Sequence, residues 1–454
     1  MKTPYKPTFL RSYIIGATLL LSTTAILALA KSIHSLPQTP LFYQSEDISV
    51  RKQSASSTSN DSPLLDSLLR ATPQLARVAT NPNYELQIIY TQINRDAQNR
   101  PSFIPHTFHL NASQYFNPAS LVKLPVAVLS LEKLNAINKT GITRNTILAT
   151  GVAFRCQTPV RFAAPADSDQ AATVGNYIKR ILLISDNLAY NRLYEFLGQR
   201  PLNERLAQLG YPNSRITRRF VPCDTTANRH TNPISFHTRQ GDTLYKESAK
   251  FNPRPYTSPL GPVLKGRAHQ AGGRIIPKPY DFTIANHLPL ADITSLLQSI
   301  LFPATVPPNQ RPNLTAADYS FLRRYLHATP HQSGFQPYTP ARYFDAYKKY
   351  LYYGRNSKLP HQPGLRIYNI VGMSHGYLSD VAYFADSLRQ SEFMLSAVLY
   401  VNRNGIINDG TYEYESIGLP FLAQLGRTIH EYEAQRPRQF RPNLSAFLTA
   451  ELSR

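Results

Sequence analysis

Apolar residues recur at helical spacing in some stretches and alternate in others, and the order of these stretches outlines the fold. A helix pattern runs from Leu64 to Arg70. Glu85 to Ile93 alternates, with Ile88, Ile89, Tyr90 and Ile93, and predicts a strand that Phe103 to Leu110 can pair with. A helical middle follows: the apolar run Leu124 to Leu134, then Val174 to Ile184, Leu188 to Leu197 and Leu202 to Leu209. Helices resume at Pro289 to Phe302, Ala316 to His327 and Ala341 to Tyr353. Thr315 with Asp318 makes a cap pair for the second of these. Tyr343, Phe344, Tyr347, Tyr350 and Leu351 give the third one apolar face, the mark of a core helix. Strands are predicted at Leu365 to Met373, Tyr377 to Asp386 and Phe393 to Val401, and a closing helix at Leu419 to Tyr432. Terminal strands around a helical centre predict a mixed α and β architecture. No internal repeat is evident.

Two stretches break the pattern. Residues 31–61 carry Pro37, Pro40 and a Ser/Thr/Asn-rich run from Ser54 to Ser62, and read as a polar linker. Residues 219–288 are rich in Pro, Gly, His and basic side chains and show little periodicity. A structureless loop of that length is unusual, which suggests an insertion or a lid. Residues 436–454 form a C-terminal tail to the main domain, 62–435.

The first thirty residues read as a targeting segment. Lys2, Lys6 and Arg11 precede an apolar run from Tyr13 to Ala30, and Ala28-Leu29-Ala30 offers a small-x-small cleavage site. A signal peptide is the expectation, and an uncleaved membrane anchor formed by residues 13–30 is the alternative. Either places the main domain outside the cytoplasm, periplasmic or extracellular. Lysines and arginines number 49 against 28 acids, a net +21. Such a charge attracts an anionic polymer or a membrane surface. Nucleic acid is not expected, because no binding motif accompanies the charge. The 42% hydrophobic content provides for a packed core and excludes a chain disordered throughout. Two cysteines, Cys156 and Cys223, permit one disulfide in an exported protein or stand as two separate buried thiols. They have no Cys/His spacing suited to a metal, and no cofactor is expected. A monomer is expected.

Candidate chemistry begins at Phe116-Asn117-Pro118-Ala119-Ser120-Leu121-Val122-Lys123. Ser120 and Lys123, three residues apart at the start of an apolar run, share one helical face and form a nucleophile–base pair. Pro125 falls in the first turn, where its missing N–H costs little. Ser120 thus sits at a helix N-terminus, whose free N–H groups favour developing negative charge. This points to acyl transfer through a serine ester. Further on stands Ser185-Asp186-Asn187, followed by Leu188-Ala189-Tyr190-Asn191.

Phe-x-x-Ala-Ser-x-x-Lys and Ser-Asp-Asn-x-Ala-x-Asn, in that order, resemble the serine β-lactamase and penicillin-recognising enzyme family, in particular its class A branch. The resemblance covers roughly Leu64 to Tyr432. It implies an α+β, class A β-lactamase/DD-peptidase-like fold, with an antiparallel sheet from the terminal strands and a helical subdomain. It also implies roles: Ser120 as acylated nucleophile, Lys123 as the buried amine that takes its proton, and Ser185 as proton shuttle to the leaving group. Asn187 would hold a substrate carbonyl and orient Lys123, while Asp186 braces the turn.

The sequence departs from this family in two places. The family's Lys-Thr-Gly strand is best matched by Tyr368-Asn369-Ile370-Val371-Gly372-Met373-Ser374-His375-Gly376-Tyr377-Leu378. Gly372 fits the glycine, but Ile370 and Val371 replace the Lys and Thr, and Leu378 falls near a usual arginine. An apolar pair cannot receive a substrate carboxylate. The backbone role survives: the amides of Ser120 and Met373 form an oxyanion hole. Gly372, Ser374 and His375 remain as substrate-binding candidates, His375 having the alternative of a surface hairpin residue. Lys265, Arg267 or Arg274 would supply the missing cation. The second departure is the deacylating Glu of the family's omega-shaped loop, absent from Arg215-Ile216-Thr217-Arg218-Arg219-Phe220-Val221-Pro222-Cys223-Asp224. Arg229-His230-Thr231-Asn232-Pro233 resembles the end of that loop, and Asp224 is the candidate water-activating base, or else a turn-bracing Asp. The substrate implied is a β-lactam or a cell-wall peptide. An esterase and a catalytically weak wall-binding protein are the alternatives.

Overall fold

The computed structural model describes residues 61–161, 170–334, 339 and 341–448. The targeting segment, nearly all of the linker and the last six residues of the tail lie outside the described residues. Among the described residues no helix is long and apolar enough to cross a membrane.

Helices α1 (Pro63–Arg70) and α2 (Pro73–Ala79) each open on a proline, where no N–H is needed. Strands β1 (Gln87–Arg95) and β2 (Pro101–Phe108) form an antiparallel hairpin, with Ile88 opposite Phe108 and Arg95 opposite Pro101. The helical centre comprises α3 (Lys123–Ile137), α4 (Val174–Ile184), α5 (Asn187–Leu197) and α6 (Gln199–Gln208), with β3 (Ile147–Thr150) between α3 and α4.

Residues 219–288 are built rather than structureless. They contain α7 (Thr225–Asn228), β4 (Ile234–His237), β5 (Thr243–Glu247), β6 (Leu264–Lys265), β7 (Ala268–Ala271), β8 (Arg274–Ile276) and β9 (Tyr280–Asp281). β4 joins β3 to β5 in a three-stranded sheet, and buried Ile234 and Phe236 lie in the same core as the central helices. Strands of two to five residues are too short to show a period in sequence, so only their long-range pairing reveals them.

Helices α8 (Leu290–Leu301) and α9 (Ala316–His327) follow, the latter with a reciprocal Thr315–Asp318 capping box. Then come β10 (Leu365–Ser374), β11 (Tyr377–Asp386), β12 (Ser391–Tyr400), the short β13 (Ile406–Ile407) beside β7, α10 (Leu419–Gln435) and α11 (Ser445–Leu448). The main sheet is five-stranded and antiparallel, in the order β10-β11-β12-β1-β2. First and last segments of the domain therefore pair across its middle, as the class A-like topology implies.

All ten residues of β11 are buried, so this sheet is covered on both faces. Tyr368, Ile370, Val381 and Tyr383 face a core shared with α3, α4, α5 and α8. Ile367, Val371, Leu378 and Phe384 face a second core shared with α1, α2 and α10. The alternation is the pleat of a strand with a hydrophobic layer on either side.

One predicted helix is absent. Residues 341–353 form successive turns instead. The reason is local: the amides of Tyr350 and Leu351 donate to Asp380 Oδ2, at 3.1 and 2.9 Å, rather than to helical carbonyls. Lys348 and Lys349 point inward, Lys348 Nζ donating to Leu182 O and Lys349 Nζ to Ile367 O and Asn369 Oδ1. The aromatic stripe is core-facing as expected, but a buried carboxylate organises its backbone.

Candidate active site

Ser120 lies in a 3-10 turn, Ala119–Val122, that runs directly into α3. The turn is held by Leu121 N donating to Pro118 O and by Ala119 N donating to Asn117 Oδ1. Ala119 adopts φ +44°, a conformation L residues rarely adopt, immediately before Ser120.

Lys123 is fully buried, and its amine gathers the site. Nζ lies 2.9 Å from Ser120 Oγ, 2.9 Å from Ser185 Oγ, 2.5 Å from Ser185 O and 2.7 Å from Asn187 Oδ1. Burial pulls this amine down to about 7, with Asp186 opposing the fall. Ser185 ends α4 at φ +57°, which turns its carbonyl and hydroxyl back onto Lys123. Asp186 caps α5 by accepting from Leu188 N and Ala189 N, and pairs with Arg180 at 2.5 Å. It braces the turn.

β10 sits against the Ser120 turn at Gly372. A Cβ there would meet Pro118 O at 2.7 Å and Ser379 Oγ at 2.5 Å, so only glycine allows this approach. His375 and Gly376, both at positive φ, form the two-residue turn of the β10–β11 hairpin. Ser374 and Tyr377 flank it, so Met373 falls at a non-hydrogen-bonded pair with Leu378. Its N–H therefore points away from β11, to the open edge of the sheet.

His375 is no surface residue. Its Nδ1 lies 3.0 Å from Asn117 Nδ2 and 2.5 Å from Ser374 Oγ. Asn117 Oδ1 already accepts from Ala119 N, so its Nδ2 donates to Nδ1, and the imidazole proton resides on Nε2. Tyr280 and Phe282, from the insertion, pack on the ring at 5.8 and 5.3 Å. Burial, aided by the Arg218 guanidinium, pushes this imidazole down to about 4.

The apolar replacements in β10 are core residues, as the sequence implies, while the readings of the replacement cations and of Asp224 change. Ile370, Val371 and Leu378 are 0%, 2% and 0% exposed in the two cores, so no substrate carboxylate is received there. Of the candidate cations, Lys265 is neutralised by Glu85 at 2.8 Å and Arg267 donates to Asn404 O. Arg274 lies on β8. Asp224, the candidate base, caps α7 through Ala227 N and pairs with Arg155 at 2.8 Å; these contacts hold its carboxyl well below the usual range. It is the turn-bracing Asp. Asp224→Asn should leave the lifetime of an acyl-enzyme unchanged, as followed by mass spectrometry over time.

Phe220 was not legible as a site residue. Its ring stands 5.3 Å from Lys123 Nζ and stacks on Tyr190 at 4.4 Å, with its N–H donated to Asn191 Oδ1. An apolar ring thus faces the Lys123 amine. His230 is likewise structural, stacked between Phe154 and Phe251. Cys156 and Cys223 are joined in a disulfide with a Cα–Cα distance of 5.9 Å, tying the segment after β3 to this loop. Among the described residues no cluster of three His, Cys, Asp or Glu gathers as a metal site.

An α+β fold with a serine–lysine–serine cluster between its sheet and its helical centre defines the class, a β-lactamase-like serine hydrolase fold. Residues 72–251, which hold Ser120, Lys123 and Ser185 to Asn187, match the model of the Beta-lactamase enzyme family. Among solved structures the chain is similar to a β-lactamase from Sphaerobacter thermophilus (13% identity, 82% of this chain and 98% of that one, TM-score 0.42). It is also similar to PBP-A (14% identity, 81% and 95%, TM-score 0.45) and to a class A β-lactamase from Mycobacterium abscessus (14% identity, 81% and 98%, TM-score 0.42). No curated protein matches the chain.

Proposed function

We propose that this chain is an exported serine hydrolase that forms an acyl-enzyme on Ser120 and releases it slowly. The observation that carries the reading is the single buried amine, Lys123 Nζ, at 2.9 Å from both the Ser120 and the Ser185 hydroxyls. Neutral Lys123 takes the Ser120 proton as Oγ bonds to the acyl carbon. The oxyanion is met by the amides of Ser120 and Met373, each donor contributing about 3 kcal/mol to the transition state. The carbon–nitrogen bond then breaks, and the Lys123 proton passes through Ser185 Oγ to the leaving nitrogen. Water completes the cycle by hydrolysing the ester. The apolar Phe220 ring beside the Lys123 amine and Asp224, occupied as a cap, support slow release.

The donor is a β-lactam or a related amide or ester. The burial of Ile370, Val371 and Leu378 favours a cell-wall peptidase or esterase substrate whose leaving part needs no carboxylate anchor. The +21 charge suits work at an anionic wall or membrane surface. Intact mass after incubation with benzylpenicillin tests the reading. A persistent adduct on the wild type, absent from Ser120→Ala, is the expected result. A Ser120→Ala protein that still gains the adduct would reject Ser120.

A further inference from the structure

The turn that aims Ser185 at Lys123 leaves a buried carbonyl without its helical donor. In a regular helix Leu182 O would accept from the amide four residues on, that of Asp186. Ser185 is left-handed at φ +57°, so the Asp186 amide turns back to Arg180 O at 3.2 Å and the Ser185 amide goes to Ile181 O at 3.0 Å. Leu182 is 2% exposed, so its carbonyl needs a donor from the protein. That donor is Lys348 Nζ, from a segment 166 residues further along the chain.

Lys348 is fixed at both ends. It is 5% exposed, and among the described residues no carboxylate forms an ion pair with its amine. Burial pulls the amine well below its ordinary value, with Lys349 and Lys123 adding to the fall, so it serves the carbonyl as an N–H donor more than as a charge. The Lys348 carbonyl accepts from Asn369 Nδ2 at 2.6 Å, and the same amide group donates to Asp380 Oδ1 at 2.9 Å. Asn369 lies on β10 and Asp380 on β11. The backbone of Lys348 is therefore tied to the sheet and its amine to the end of α4. One residue links the turn that presents Ser185 to the strand that carries the Met373 amide. Its neighbour Lys349 serves other carbonyls, Leu326 O at 3.2 Å and Ile367 O at 2.6 Å.

We propose that Lys348 is a positioning residue for Ser185: it fills the carbonyl that the left-handed turn leaves open, and so holds the Ser185 hydroxyl at Lys123 in register with β10. Without it the Asp186 amide can return to Leu182 O. The helix then runs on through Ser185 and takes its hydroxyl off Lys123 Nζ. Proton delivery to the leaving nitrogen is lost, while the Ser120–Lys123 pair, local to its own turn, stays in place. This assignment rests on the acyl-enzyme reading above.

The test compares two reagents, by intact mass. Benzylpenicillin needs a proton on its leaving nitrogen as the carbon–nitrogen bond breaks; a fluorophosphonate expels fluoride and needs none. Lys348→Met keeps the buried volume and removes the donor. It should lower the ratio of the benzylpenicillin rate to the fluorophosphonate rate about 10- to 100-fold, the effect of a reacting group displaced by about an ångström. Lys348→Gln keeps a shorter donor and should fall between Lys348→Met and the wild type; it supplies the ratio where Lys348→Met does not fold. Lys349→Met removes an equally buried amine that does not reach Leu182 O, and should keep the wild-type ratio whatever it costs in stability. In a Ser185→Ala protein, adding Lys348→Met should lower the ratio no further. A wild-type ratio in Lys348→Met and Lys348→Gln, or the same fall in Lys349→Met, overturns the assignment. So does a further fall in the Ser185→Ala protein. So does fluorophosphonate labelling of wild-type Ser120 with no acylation by benzylpenicillin, an outcome that leaves the nucleophile standing. Failure of both reagents to modify wild-type Ser120 rejects the acyl-enzyme reading itself.

Discussion

Replacing Lys123 by methionine should slow acylation of Ser120 by about 100- to 10,000-fold, the usual contribution of a positioned general base. Methionine fills the same buried volume, so folding should survive while the proton acceptor is lost. The wild-type rate should also depend on pH in a defined way. Lys123 acts as a base only when neutral, and burial brings it down to about 7 from its ordinary value of 10.5. Below about pH 7 the ammonium predominates, and the rate should fall about tenfold per pH unit. Above about 7 it should level off. The same depression bears on stability. Between about 7 and 10.5 the unfolded chain binds the proton and the folded chain does not, so this group's contribution to stability rises with pH across that window and is constant below it. Stopped-flow acylation across pH 5–9 checks the kinetic statement. A rate that is flat through pH 7 in the wild type would remove Lys123 as the base.

Glu195→Leu should destabilise the protein by about 3–5 kcal/mol, the cost of leaving a buried charge without its partner. Arg219 and Glu195 are both 1% exposed, with Arg219 Nε 2.8 Å from Glu195 Oε1. The guanidinium also donates to Ala227 O, His230 O and Asn232 Oδ1, so it staples the loop carrying Phe220 and Asp224 to α5. Arg192, 3.2 Å from the same carboxylate, loses its partner too. Denaturant unfolding measures the loss. Limited proteolysis should show first cleavage between residues 217 and 232, because that loop depends on the pair. A Glu195→Leu protein as stable as the wild type would mean that water reaches Arg219 in the native state.

The site was legible where its residues are close in sequence. Ser120 and Lys123 are one helical turn apart, and Ser185-Asp186-Asn187 is a single helix start; local geometry alone puts such side chains on a shared face or at a shared cap. The Tyr377 to Asp386 strand and the turn before it were legible for the same reason, since a two-residue loop and period-two alternation are local signals. What faces what was not. Asp224 became a cap because Arg155 and the start of α7 meet it, contacts across a separation of 69 residues in the case of Arg155. The helix predicted at 341–353 gave way because Asp380, remote in sequence, captured two of its amides.

By itself, then, the sequence determined the order of the main strands and helices outside residues 219–288 and 341–353, the Ser120–Lys123 pairing and the loss of the cationic strand residues, because these are encoded by spacing and side-chain type. Tertiary structure alone decided that Ile370 and Val371 lie in two opposite cores, that the Phe220 ring stands against the Lys123 amine, and that Lys265 is neutralised by Glu85. The physical reason is common to all of these. Desolvation and charge compensation depend on which groups the folded chain brings within a few ångströms, and no local period along the chain carries that information.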